Sequence, residues 1–442
     1  MNGAYKQRDR SGLFKFVPTT SDVVLRKTPI PPGRATIQTR FVVPCGATDF
    51  ARMQSVIHSR PTAAASRPAG SSRLLSLDAF RGLTVAGMIL VNNPGDWGHI
   101  YAPLEHAAWH GWTPTDLIFP FFLFIVGVSI TFALGGQKEE EGTGRGGVVR
   151  KIVKRSATLF LLGLFLNFFP KFDPTTVRVL GVLQRIALVY LTCSLVFLRT
   201  TPRQQLYVLI AILTGYWLLM TVVPVPGVGY ANLEPETNLA AWLDRIILTP
   251  AHVYKPAKVW DPEGLLSTLP AIGTGLIGIL TGTWLRRTDV PAADRVAWLF
   301  AAGCLTTLGG LAWDGFFPIN KALWTSSYVL LAGGLAMLGL ALFYWLIDVH
   351  HYRRWAQPLV AFGVNAITVF FLSGLIPRVM NLIKVGRPDG TAVGLKEYLY
   401  QTLIVPPFAD PRNASLAGAL TFVLIWFGIL WWMYRRNIIV KV

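Results

Sequence analysis

Three histidines, His99, His106 and His110, fall within twelve residues of a polar, aromatic segment bounded by two apolar runs, Leu75 to Val91 and Leu117 to Leu134. An imidazole accepts and returns a proton near neutral pH, so a cluster of them beside a membrane surface suggests proton-transfer chemistry. Other polar groups fall at the same ends of neighbouring apolar runs: Asn92, Asp116, Gln184 and Arg185, Asp261 and Glu263, Asn320 and Lys321. Ionisable groups near membrane depth are costly to keep and are functional candidates by default. All of these are expected to converge on one outward-facing cavity near His106.

Each candidate also has a plainer structural reading. His99 and His110 suit interfacial hydrogen bonding, and Arg185 suits an ion pair between helices. Asp261 and Glu263 suit the start of a helix, where they complement its dipole. Trp97, Trp109 and Trp112 serve either as interfacial anchors or as sugar-stacking platforms. On the other side, Asp78 and Arg81 stand three residues apart on one helix face, as a clamp or with the guanidinium free for a phosphate. Asn365 falls inside an apolar run, where its amide needs an interhelical partner or a ligand.

The elements that must position these groups are membrane helices. Apolar residues make up 52% of the 442-residue chain and charged residues 14%, and mean hydropathy is +0.46, a balance unsuited to a soluble domain. Runs long enough to cross about 30 Å of hydrocarbon lie near residues 75–93, 115–135, 151–169, 178–198, 204–223, 264–285, 295–313, 324–347, 357–377 and 414–434. The expected fold is an all-α polytopic membrane bundle of ten helices. Lys138, Arg150, Lys151, Lys154, Arg155, Arg199, Arg203, Arg286, Arg287, Arg353, Arg354, Arg435 and Arg436 then fall on one side, which the positive-inside rule makes cytoplasmic, giving N-in and C-in. The long connections 224–263 and 378–413 share the outer side with the histidines and are long enough to form a partial lid.

The net charge of +18 does not point to nucleic acid, because residues 1–73 hold twelve Lys and Arg against three Asp and Glu. This basic arm is read as a disordered cytoplasmic flank without a secretory signal, with Met53 as a candidate start, ahead of a membrane domain over 74–442. Cys45, Cys193 and Cys304 show no metal-ligand spacing, and no metal site is expected.

Taken in order, the motifs D-x-x-R-G from Asp78, V-N at Asn92, E-H-A-x-W-x-G-x-T-x-x-D-L from Glu105, G-V-L-Q-R ending at Arg185, D-P-E-G from Asp261, N-K-x-L-W from Asn320 and G-x-N-A at Asn365 resemble the heparan-alpha-glucosaminide N-acetyltransferase family. The resemblance runs over about residues 74–442. It implies transfer of an acetyl group from cytosolic acetyl-CoA to the amino group of a glucosamine-type sugar across a membrane, here the inner membrane of a bacterium. It makes His106 the essential histidine and Asn92 its companion. Asp116 is then expected to orient the imidazole, and Arg185, Asp261, Glu263, Asn320, Lys321 and His110 to bind the acceptor. Arg81, Lys151, Arg155 and Asn365 are assigned to CoA. His106 acts either as a general base or as a nucleophile carrying the acetyl group. An amino sugar or glycan end, membrane lipid and a second copy of the chain are the expected partners. Two rival functions use the same cavity: an amino-sugar transporter without covalent chemistry, and an O-acyltransferase acting on an envelope polysaccharide.

Overall fold

The computed structural model describes residues 74–139, 145–387 and 390–440; the basic arm lies outside them. Long apolar stretches with few breakers form α1 (Leu75–Asn92), α2 (Pro114–Glu139), α3 (Arg145–Phe168), α4 (Val182–Arg199) and α5 (Pro202–Val222). A nine-residue helix, α6 (Leu239–Ile247), stands in the following connection, capped by the Asn238 side chain, which accepts from the Ala241 amide at 2.9 Å. The long helices resume with α7 (Thr268–Leu285), α8 (Ala292–Asp314) and α9 (Ser326–Tyr344), followed by the pair α10 (Gln357–Val364) and α11 (Ala366–Leu382). A small hairpin of β1 (Lys384–Gly386) and β2 (Ala392–Gly394) leads to α12 (Leu395–Leu399) and the closing helix α13 (Pro411–Arg435).

Eight of these helices are long and apolar enough to cross a membrane, and α10 with α11 makes up to nine. The protein is a mostly helical integral membrane protein. Two runs differ from the ten expected from sequence. The run 151–169 becomes the second part of α3, whose first half is strongly basic and falls outside the eight. The run 357–377 is not one straight helix: it breaks at Asn365 with a bend of 77°.

With lipid on the outside, helix association rests on close packing rather than on hydrophobic exclusion, and small residues let backbones touch. A Cβ on Gly127 of α2 would lie 2.0 Å from the Gly275 carbonyl oxygen of α7, and one on Gly278 would lie 2.1 Å from that of Phe124. The α1–α10 contact works the same way, since a Cβ on Gly363 would come within 1.9 Å of the Asp78 carbonyl oxygen. These contacts hold α1, α2 and α7 at the centre, where Ile89, Leu123, Phe124 and Leu276 are fully buried.

Candidate active site

The histidine-bearing segment follows α1 and is anchored in two ways toward its far end. Its far end docks on residues 319–320: the Gly111 amide donates to the Ile319 carbonyl at 2.7 Å, and Gly111 pairs with Asn320 as an isolated bridge. Gly111 takes φ +93° there, a conformation glycine adopts without steric cost. Asn320 is itself fully buried and turns the next segment, its side-chain oxygen accepting from the Leu323 amide at 2.9 Å. Lys321 is thereby delivered beside the histidine segment.

The start of α2 supplies the second anchor. Asp116 is in the first turn, and its carboxylate reaches back to the Thr113 amide at 3.0 Å, the return half of a capping box. The same carboxylate accepts from the Ala107 amide at 3.0 Å and the Thr113 hydroxyl at 3.2 Å. Its other oxygen lies 2.7 Å from His106 Nδ1 and 3.3 Å from Lys321 Nζ. An ionised carboxylate only accepts, so the short contact puts the proton of a neutral imidazole on Nδ1 and leaves Nε2 with a lone pair. Asp116 is buried at 1% exposure, whereas the His106 side chain is 54% exposed.

Lys321 completes a trio, with Nζ 2.9 Å from His106 Nδ1 and 3.3 Å from Nε2; with the proton on Nδ1, only Nε2 and Asp116 can accept from the ammonium. Burial pulls its ammonium below the usual lysine range, against the opposing pull of Asp116 and Glu263. The trio opens on a cavity of about 320 Å³ that Asn92, Trp109, Tyr254, Trp260 and Glu263 also line. Trp109 and Trp260 meet edge to face with centroids 5.1 Å apart, and the Trp109 indole donates to the Leu233 carbonyl at 3.0 Å. The connection 224–263 therefore does fold over the site, as its length suggests.

The remaining sequence candidates lie in different places. Asp261 and Glu263 share a cation that sequence reading passed over, Arg178. Its Nε and Nη2 donate to the two Asp261 oxygens at 2.8 and 2.5 Å, and Nη2 also meets Glu263. Burial opposes charge on all three groups, but their mutual attraction keeps Arg178 protonated and holds Glu263 below the usual carboxylate range. Only Glu263 and Arg178 of these three line the cavity. Arg185 makes no ion pair among the described residues; it is fully buried behind the wall, donating to the Gly264 carbonyl at 3.1 Å and the Ser267 hydroxyl at 2.5 Å, 5.0 Å from the Trp324 ring. Asn320 is likewise behind the wall. His110 is exposed and does not line the cavity. His99 pairs with Asp96 at 2.7 Å, apart from the cavity.

A second polar cavity, of about 360 Å³, gathers three of the residues assigned from sequence to the nucleotide: Arg81, Arg155 and Asn365. Lys151 is exposed and does not line it. Arg81 both clamps and lines: it donates to Asp78 at 3.0 Å and to the Ser129 hydroxyl at 2.8 Å. Asn365 finds its partner in the tail, donating to the Ile438 carbonyl at 3.1 Å and accepting from the Val440 amide at 2.9 Å. Arg155 stacks over Tyr190 with 5.1 Å to the ring centre. The two cavities approach one another along three helices, through Phe119 and Phe122 of α2, Val182 and Ile186 of α4, and Phe370 and Ile367 of α11. Each pair spans about one helical turn, near 5 Å.

A family model described as the catalytic part of heparan-alpha-glucosaminide N-acetyltransferase matches residues 73–310, more than half of the chain. The chain belongs to this acetyltransferase family. It is 29% identical over 351 residues to the human heparan-alpha-glucosaminide N-acetyltransferase, covering 67% of this chain and 52% of the human protein. Against the mouse protein of the same name it is 28% identical over 357 residues, covering 69% and 54%. The chain thus spans about half the length of the curated relatives it matches. His106, Asp116, Arg178 and Glu263 fall inside the matched family segment; Lys321 and Asn365 follow it.

Proposed function

We propose that the protein transfers an acetyl group from acetyl-CoA to the amino group of a glucosamine-type sugar, with donor and acceptor entering from opposite faces of the membrane. The observation that carries this reading is the pair of cavities: one holds the oriented His106, the other holds Arg81 and Arg155, and a single turn of helix separates them. Ser129, which meets Arg81, stands 13 residues along α2 from Asp116. That is roughly 20 Å at 1.5 Å per residue, a separation suited to an extended pantetheine arm.

In this reading Arg155 and Arg81 bind the CoA phosphates, for which a guanidinium fork is well matched. His106 Nε2 takes a proton from the acceptor amine as its nitrogen attacks the thioester carbonyl, and Asp116 stabilises the imidazolium that results. The C–S bond breaks as the tetrahedral adduct collapses, and the imidazolium returns its proton to the sulfur. Asn92 and Lys321, both facing the cavity, donate to the developing oxyanion. Glu263 and the paired aromatic rings of Trp109 and Trp260 hold the sugar.

The sidedness rests on charge. Lys138 donates to the Thr200 carbonyl at 2.7 Å, and Gly135 of α2 packs against the Arg286 guanidinium, so three connections, two of them contributing these cations, meet at the end of the bundle away from His106. That end is assigned to the cytoplasm. Counting α3 as a crossing brings the total to ten, with both termini of the 74–442 domain inside, and a bacterial inner membrane fits this arrangement. Purified protein given acetyl-CoA and glucosamine tests the reading: formation of N-acetylglucosamine with release of CoA supports it, and glucosamine movement without CoA release in proteoliposomes overturns it.

A further inference from the structure

Beside the His106 cavity lies another of about 420 Å³, and the two share Asn92, Arg178, Val182 and Phe370 as a common wall. Its far side carries Arg378 of α11 and Lys396 of α12. Among the described residues no acidic side chain lines it. Among the described residues the Arg378 side chain makes one hydrogen bond, to the Gly374 carbonyl at 2.6 Å, and neither cation has an ion-pair partner. Glu397, next to Lys396, accepts instead from Gln401. Arg178 is matched within its own wall by Asp261 and Glu263. Arg378 and Lys396 are therefore two cations facing a cavity that no described acidic side chain lines, with Glu397 acting on Lys396 from outside it, an arrangement that favours an anion.

The rest of the lining narrows the ligand. Side-chain amides of Asn93, Asn167 and Gln184 donate to the backbone carbonyls of Ile89, Arg178 and Val179 at 3.1, 2.8 and 3.1 Å. Their oxygens remain to accept from hydroxyl groups. Burial also pulls the Lys396 ammonium below the usual lysine range, against the opposing pull of Glu397. Two cations suit a dianion, and acceptor oxygens suit sugar hydroxyls.

We propose that this cavity is an anion subsite in which Arg378 and Lys396 bind a phosphate group next to the acceptor amine. The proposal rests on the reading of the His106 cavity as the acceptor site and extends it to phosphorylated amino sugars. A phosphate reaches the site either on the sugar or as the headgroup of an anionic lipid.

Binding without turnover separates this proposal from the catalytic one. Full-length His106→Ala protein in phosphatidylcholine nanodiscs, without acetyl-CoA, is titrated with glucosamine and with glucosamine 6-phosphate. The phosphorylated sugar is expected to bind tighter by about tenfold or more, the scale of one hydrogen bond to a charged group. Adding Arg378→Gln and Lys396→Gln is expected to erase that preference, while Arg378→Lys with Lys396→Arg keeps it and controls for folding. Phosphatidylglycerol nanodiscs distinguish the sources: competition with the sugar phosphate that disappears in the double Gln variant assigns the subsite to a lipid headgroup. Equal affinity for the two sugars in phosphatidylcholine, with no competition from phosphatidylglycerol, overturns the proposal. A preference that survives both Gln substitutions also overturns it. Absence of acetylation by the wild-type protein, with the phosphate preference intact, would instead count against the His106 reading alone.

Discussion

His106 Nδ1 sits 2.7 Å from an Asp116 carboxylate that also closes the first turn of α2. One side chain therefore both fixes a helix start and sets the tautomer of the imidazole. Replacing Asp116 with Asn keeps the shape and removes the charge; the Ala107 and Thr113 amides hold the Asn oxygen, leaving its NH2 toward His106, which so loses both its orienting acceptor and the partner for its imidazolium. The expected result is a kcat lower by about 10²- to 10⁴-fold, the range of general acid–base contributions, with little change in acceptor KM. Steady-state kinetics on purified protein decide it, and undiminished kcat would remove Asp116 from the mechanism.

Arg178 is expected to matter for folding before it matters for chemistry. It is the cation between Asp261 and Glu263, both buried, and its removal leaves two carboxylates without their shared partner. Arg178→Met should destabilise the protein by about 3–5 kcal/mol, the usual cost of breaking a buried pair. Adding Glu263→Gln should recover part of the loss. Thermal unfolding in detergent tests both, and equal stability of Arg178→Met and wild type would contradict the pairing.

Asp244 gives the stability a pH dependence of known sign. It lies in α6, buried at 1% exposure, with one oxygen accepting from the Leu265 amide at 2.9 Å. Burial pushes its carboxyl from 3.8 up to about 6. Between those values the folded chain holds a proton that the unfolded chain has lost, so stability falls as pH rises through this window. The shift corresponds to about 3 kcal/mol at 1.36 kcal/mol per unit. Asp244→Asn keeps the acceptor oxygen and should flatten the decline in melting temperature between pH 4 and 6 relative to wild type. Parallel curves for the two proteins would show that Asp244 does not titrate this way.

The second polar cavity predicts a donor-specific defect. Arg155→Gln should raise the KM for acetyl-CoA by about tenfold, the loss of one charge-assisted contact, while leaving the KM for the sugar near wild type. Initial-rate measurements with each substrate varied in turn separate the two. A change confined to the sugar would place CoA elsewhere.

Much of this arrangement was legible in the sequence because it is carried by local patterns. Apolar runs marked the long helices, and Asp116 stood out as a carboxylate at the start of the second of them. Groups whose partners are distant in sequence were not legible. Arg178 precedes α4 in an ordinary loop, and nothing near it announces that Asp261 and Glu263, 83 and 85 residues on, will close on it. Lys321 could be placed on the right side but not within 2.9 Å of His106, because that depends on the Gly111 to Ile319 contact. The break at Asn365 was hidden for a similar reason: hydropathy alone reads 357–377 as continuous, while the tail backbone at Ile438 and Val440 supplies the hydrogen bonds that let the helix part.

The central claim is that His106 serves an acetyl group passing between the two cavities. Proteoliposomes with labelled acetyl-CoA enclosed and glucosamine outside, the protein inserted with its basic end inward, measure this directly. Labelled N-acetylglucosamine outside the vesicles with wild-type protein, and none with His106→Ala inserted at equal density, is the predicted result. Equal labelled product from the two proteins, or none from wild type while the donor remains intact, would contradict it.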